Sequence, residues 1–162
     1  MKNLFRTETG NPLSMLFARL QTLAPQARTV LIASIRLEVP PRAIVGALAQ
    51  QAEHAQQPFR ILALKDDAGP HSNRPANSEK EPELIAAGSV DGVREALNAF
   101  NGWTFVQGGS LLTSPSTLRA AAACDGTLIV VARRRDMRSD VEEASSEIRR
   151  TGGAILGVVF AV

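Results

Sequence analysis

The sequence predicts an α/β domain: a doubly wound, mostly parallel sheet with helices on both faces. Three observations carry this reading. The segments "RTVLIAS", "FRILAL", "GTLIVVA" and "AILGVVFA" are short, continuous runs of aliphatic and β-branched residues, as in strands buried on both faces. Amphipathic stretches at helical spacing stand between them. Strand and helix alternate, which implies crossover connections and therefore parallel pairing with helices on each side.

The elements follow in order. In "NPLSMLFARLQTL" the residues Leu13, Leu16, Phe17, Leu20 and Leu23 recur at helical spacing, and Pro12 suits a helix start. "RTVLIAS" is a buried strand, "PRAIVGALAQQAEHA" a helix and "FRILAL" a second buried strand. Residues 66–83 are polar and proline-bearing, and are expected to form an exposed, mobile surface loop. "VDGVREALNAF" is a short amphipathic helix and "WTFVQ" a strand, with Trp103 packing at its start. Ser114 and Pro115 open the helix "SPSTLRAAAAC", and "GTLIVVA" is the clearest strand of the chain. "SDVEEASSEIRR" is a helix in which Ser139 and Glu142 are placed for a capping box and "GG" for the stop, and "AILGVVFA" is the last strand.

The whole of residues 1–162 is read as one domain, long enough for a substantial core. A composition of 44% hydrophobic and 21% charged residues is that of an ordinary globular protein. A net charge of +2 speaks against a nucleic-acid binder or a polybasic membrane anchor. No apolar run is long enough to span a bilayer, the first residues lack a secretory signal, and the lone Cys124 excludes an internal disulfide framework. Together these point to the cytoplasm, peripheral at most to the inner face of the plasma membrane. Sheets of this kind bind ligands at the carboxyl ends of their strands, at a topological switch point. That edge is expected to carry the loops after Ser34, Lys65, Val106 and Ala132.

Four segments at that edge give the chain a resemblance. From about Pro12 to Phe160 it resembles the cytoplasmic domain of the bacterial tyrosine kinases of exopolysaccharide and capsule synthesis, within the deviant P-loop group that includes the MinD and ParA ATPases. "IASIRLEVPPRAIVGALA" aligns without a gap to the family's "VTSxxPGEGKSTxAxNLA", and "RILALKDDA" to a strand ending in Asp-x-Asp. "FVQGGSLLTSPSTLRAAAACDGTLIVVARRRD" follows a pattern like "IIDTPPxLxxPDAxxLAxxxDGVxLVVRxxxT", and "AILGVVF" matches a final strand. The resemblance implies a P-loop NTPase-like fold.

The chemical half of the pattern is replaced. A phosphate loop needs glycines so that successive N–H groups curl toward the anion, a lysine to neutralise it, and a Ser/Thr hydroxyl for Mg²⁺. In the aligned frame Glu38 and Pro40 stand for glycines, Pro41 for the lysine and Arg42 for the Ser/Thr. Proline has no N–H to donate, and a carboxylate at Glu38 repels phosphate. Lys65 replaces the first aspartate of Asp-x-Asp and leaves Asp67, while Gln107 replaces the later metal-site aspartate. The chain has no tyrosine to phosphorylate, and Met15, Ala18 and Gln21 stand where the family has a ring-forming Glu-x-x-Arg-x-x-Arg pattern.

No catalytic residue, cofactor or metal site is therefore expected. Candidate anion or partner contacts are Arg36, Arg42 and Lys65, together with Arg133, Arg134 and Arg135 at a strand end. His54 and His71 are isolated, and Ser34 and Ser110 have no evident base partner. The expected function is that of a non-catalytic accessory or regulator of exopolysaccharide assembly and export, working by protein–protein contact. The resemblance implies the cytoplasmic segment of a membrane polysaccharide co-polymerase as partner. The alternatives are a degenerate MinD/ParA-like positioning or secretion-associated protein, and an ATPase with an unusual nucleotide site.

Overall fold

A computed structural model describes residues 15–36, 41–65 and 82–161. Among these described residues six strands form one parallel sheet in the order β3-β2-β4-β1-β5-β6. These are β1 (Thr29–Ser34), β2 (Phe59–Leu64), β3 (Glu83–Ile85), β4 (Trp103–Ser110), β5 (Gly126–Ala132) and β6 (Ile155–Ala161). The helices are α1 (Leu16–Leu23), α2 (Arg42–His54), α3 (Val90–Asn98), α4 (Pro115–Ala123) and α5 (Arg138–Arg150).

Handedness decides which face each helix covers. From β1 the chain steps outward past β4's position to β2, then returns through β4 and crosses β1 to reach β5 and β6. Right-handed crossovers in opposite directions place their helices on opposite faces. Accordingly α2, joined by α1, packs on one face with Val30, Ile32, Phe59, Ile61, Trp103 and Phe105. Helices α3, α4 and α5 pack on the other, against Leu31, Ala33, Leu62, Val106 and Ile129. The alternation of side chains along β1 and β4 feeds both layers.

The first layer is anchored by aromatics. Phe17 of α1 meets Trp103 edge-on at 5.0 Å between ring centroids, and Trp103 stacks on Phe105 at 6.1 Å. The Arg28 guanidinium lies over the Trp103 ring at 5.0 Å. On the other side, Arg60 donates to the carbonyls of Ala96 and Leu97 and so closes the carboxyl end of α3. Burial pulls its guanidinium below the ordinary value, with Glu83 acting in the opposite sense.

Several expected boundaries move. The start of the first helix at Pro12 lies outside the described residues, as do residues 66–81 of the expected loop. Leu23 is 51% exposed rather than on the buried stripe, which ends at Leu20, and Gln21 and Thr22 beside it are exposed as well. Glu83, read as loop, opens β3, a three-residue edge strand held by its register with Leu62. Only Ile85 of that strand is buried, so it has no sequence pattern to betray it. The cap of α5 is Met137, whose N–H donates to the Asp140 carboxylate at 2.9 Å, so Ser139 lies inside the first turn. The stop at "GG" holds: Gly153 N–H reaches Ile148 O and Gly152 N–H reaches Arg149 O, with Gly152 at φ +86°.

Phe105 is wholly buried and touches the aromatic group from the centre of the sheet. Phe105→Ala is expected to cost about 3–5 kcal/mol in chemical denaturation, as large cavities in a close-packed core do.

Candidate functional site

The carboxyl edge of the sheet is built around the seam between β1 and β4. Their register runs from Thr29↔Thr104 to Ile32↔Gln107 and then slips, so that Ser34 pairs with Ser110. One residue, Ala33, thus opposes Gly108 and Gly109, which is a β-bulge. A Cβ on Gly108 would stand 2.9 Å from Leu31 Cδ1 and 3.2 Å from Thr117 Cγ2, so the bulge is packed from both sides. Sequence reading ended this strand at Gln107; the ladder continues because the two glycines admit the slip.

Hydrogen bonds then lace the strand ends together. Leu111 N–H donates to Ser34 O at 2.9 Å, Ser110 Oγ donates to Ile35 O at 2.7 Å, and Ile35 N–H donates to Val130 O at 3.3 Å. Ser34 Oγ donates to Gly109 O at 3.4 Å, and Gly109 N–H donates to Thr117 Oγ1 at 2.9 Å. Ser34 and Ser110 are 2% and 1% exposed. Both hydroxyls are committed to backbone, which leaves neither as an activated nucleophile.

Glu38, Pro40 and Asp67 lie outside the described residues. Pro41 is the N-cap of α2, with φ −71° and no capping side chain, and its carbonyl accepts from Ile44 and Val45 at 3.0 Å each. It has no N–H to offer an anion. Arg42, exposed, puts a cation on the first turn, where the helix dipole is already positive. Lys65 is exposed just past β2, two strands from β1, or about 10 Å at ordinary strand spacing.

Gln107 is held inside β4, opposite Ile32 on one side and Ala63 on the other. Two residues beyond Phe105, it shares the face that carries α2. Its Oε1 is buried without a hydrogen-bond partner among the described residues. An unpaired buried amide oxygen of this kind costs about 1–3 kcal/mol.

The remaining candidates sit on the other side of β1. Arg36 Nη2 pairs with Asp140 Oδ1 at 3.0 Å, which ties the loop after β1 to the first turn of α5. Arg133, Arg134 and Arg135 form the turn between β5 and α5, all exposed. That turn is folded tightly: Asp136 Oδ2 accepts from Ala132 N–H at 2.7 Å, and the amides of Arg135 and Asp136 both reach Ala132 O at 3.0 Å. The described contacts thus bring Arg36 near the arginine turn, while Lys65 stands apart along the edge. Neither the bulge nor the Arg36–Asp140 pair carries a local sequence signal beyond the "GG" at Gly108 and Gly109. Cys124 is buried, and burial pushes its thiol up. His54 ends α2, and His71 lies outside the described residues. Among the described residues no group of three or more His, Cys, Asp or Glu could hold a metal ion, and no helix is long and apolar enough to cross a membrane.

This edge and topology define an α/β class with a parallel sheet covered by helices on both faces, and solved structures narrow it. The chain is similar to the kinase domain of Escherichia coli tyrosine kinase ETK, at a TM-score of 0.70 and 14% identity over 92% of this chain and 73% of that one. It is similar to the chimerical protein CapA2B2 at 0.68 and 15% identity, over 99% and 93% of the two chains. The VpsO kinase domain matches at 0.66 and 12% identity over 91% of each. The fold is that of the bacterial tyrosine kinase domains, as the sequence resemblance implied. No family model matches the sequence, and no curated protein matches it.

Asp140 supplies a test of the edge. The Met137 N–H and then the Arg36 guanidinium hold its carboxyl below the usual range. A folded-state pKa lowered in this way stabilises the fold above the unfolded carboxylate value, and the gain is lost as pH falls through the folded one. Asp140→Asn should therefore lower the melting temperature near neutral pH. The gap to wild type should close as pH falls below about 4. A gap that persists unchanged in acid would show that charge at Asp140 contributes nothing.

Proposed function

We propose that this protein is a non-catalytic relative of the polysaccharide-synthesis tyrosine kinases. It acts through protein–protein contact as an accessory or regulator of exopolysaccharide assembly and export. The observation that carries the reading is the make-up of the α2 entrance on a kinase-type scaffold. Pro41, with no N–H, caps the helix that would face a phosphate, and Arg42 rather than a hydroxyl residue follows it.

The residues around it support the same reading. Gln107 brings a neutral amide where the resemblance places a metal-site carboxylate, and Lys65 brings a cation where it places another. Phosphoryl transfer rests on phosphate positioning and on Mg²⁺ held by such groups. This set of residues suits neither the metal nor the triphosphate. The likeness to the ETK and VpsO kinase domains supports the polysaccharide setting. The docking partner inferred from it is the cytoplasmic segment of a polysaccharide co-polymerase.

Thermal unfolding with ATP and Mg²⁺ tests the first half. A ligand at 100 times its dissociation constant adds about 2.7 kcal/mol, which is an easily read shift. No shift is expected. A magnesium-dependent rise that disappears in Lys65→Ala or Arg42→Ala would restore a nucleotide site. The second half is tested by co-purification with the co-polymerase and by polymer output in a deletion strain. Normal output without any such association would refute it.

A further inference from the structure

β6 forms the end of the sheet opposite β3. Among the described residues β6 pairs only with β5, so its outer row of backbone groups has no strand partner. Beside this edge runs a groove of about 700 Å³ between β6 and α5. Val131 and Val158 form its buried floor, and Phe160 and Met137 stand out from it at 39% and 71% exposed. Helix α5 presents Ser145 and Ser146 to the groove, and these small side chains leave it unfilled.

The charges around the groove are uneven in availability. Its carboxylates are engaged: Glu142 with Arg138 at 2.9 Å, and Asp136 with the Ala132 N–H at 2.7 Å. Nearby on α5, Asp140 is paired with Arg36 and Glu147 with Arg150. Arg149 lines the groove, Arg133 and Arg134 stand exposed on the turn leading into it, and none of these three has a carboxylate partner among the described residues. A cationic rim over an apolar slot, alongside an unpaired strand edge, is complementary to one kind of occupant.

We propose that the β6 edge and its α5 groove dock an extended acidic segment of a partner protein as an added strand. Main-chain hydrogen bonds to β6 supply affinity, alternate apolar side chains enter the groove, and carboxylates at the two ends of the segment meet Arg133 and Arg134 beside the end of β6 and Arg149 toward its start. An anionic bilayer would neutralise the arginines but could neither pair the strand edge nor reach Val158, which is 4% exposed. The added strand does all three. This docking stands independently of the polysaccharide setting and of whether nucleotide binds.

The test is a titration of the isotope-labelled full chain with a short synthetic peptide of alternating valine and threonine flanked at both ends by aspartates, followed by amide resonances and hydrogen exchange. Shifts and slowed exchange are expected at Gly157 to Ala161 and at the exposed face of α5. The double charge reversal Arg133→Glu, Arg134→Glu is expected to weaken binding about tenfold or more. Ser146→Phe, which fills the groove from an exposed position, should do the same. Both variants should keep the wild-type melting temperature, so that lost binding is not lost folding. The proposal is overturned by equal binding of the peptide with lysine in place of aspartate, or by perturbations at β3 instead of β6. It is equally overturned if phosphatidylglycerol vesicles bind while the peptide does not, if the chain covers the edge with a second copy of itself, or if no probe binds.

Discussion

A strand buried on both faces has no water to meet its backbone, so its donors and acceptors must be used within the sheet. In β1 this demand extends past the strand's last residue. Ser34 and Ile35 pass their carbonyls to Leu111 and to the Ser110 hydroxyl, and Ile35 gives its N–H to β5. The point where the chain reverses direction across the sheet is therefore fastened on both sides. Beyond Ile35 the polypeptide departs from a fixed base, whatever residues the connection to α2 contains. The bulge at Gly108 and Gly109 is part of the same device, since it brings Ser110 level with Ser34.

Electrostatics at this edge differ between the two helices that begin there. Helix α5 has a carboxylate in its first turn, Asp140, which serves the Met137 N–H and also holds Arg36. It is thus matched to the positive end of its dipole. Helix α2 has a proline cap, no acidic residue in its first turn, and Arg42. Arg36 leaves the loop toward α5, so one cation of the edge is neutralised by a long-range pair. The same polypeptide thus builds two neighbouring helix starts in opposite ways, one around a carboxylate and the other around a proline and a cation.

Much of the architecture was legible because it rests on burial. "FRILAL" and "GTLIVVA" coincide with β2 and β5 to the residue, since strands covered on both faces show unbroken apolar runs. Ser114 capping Thr117 and Gly152 closing α5 were legible because caps are local chemistry. Features that depend on distant partners escaped. β3 exists because β2 offers it a ladder, not because "ELI" is a strong strand. The cap at Met137 displaced Ser139 because the Asp140 carboxylate reaches back to the Met137 N–H. At the site, residue types at Pro41, Lys65 and Gln107 could be read directly. The Arg36–Asp140 pair spans 104 positions and could not. The groove along α5 was equally hidden, because serine at two adjacent helical positions says nothing until β6 is placed beside it.

Separation of the core from the edge explains how a kinase-type scaffold can stand at 12–15% identity with TM-scores of 0.66–0.70. The two buried layers draw on β1, β2, β4, β5 and their helices, whereas Arg36, Arg42 and Lys65 are exposed and Gln107 is half-buried. Stability comes mainly from the layers, at roughly 1.5–3 kcal/mol for each large apolar side chain buried. Exchange of edge residues costs little by comparison, apart from an orphaned amide such as Gln107 Oε1. The fold therefore places weak demands on the chemistry of its own carboxyl edge. A surface with a fastened seam beneath it is free to change what it presents while the sheet remains the same.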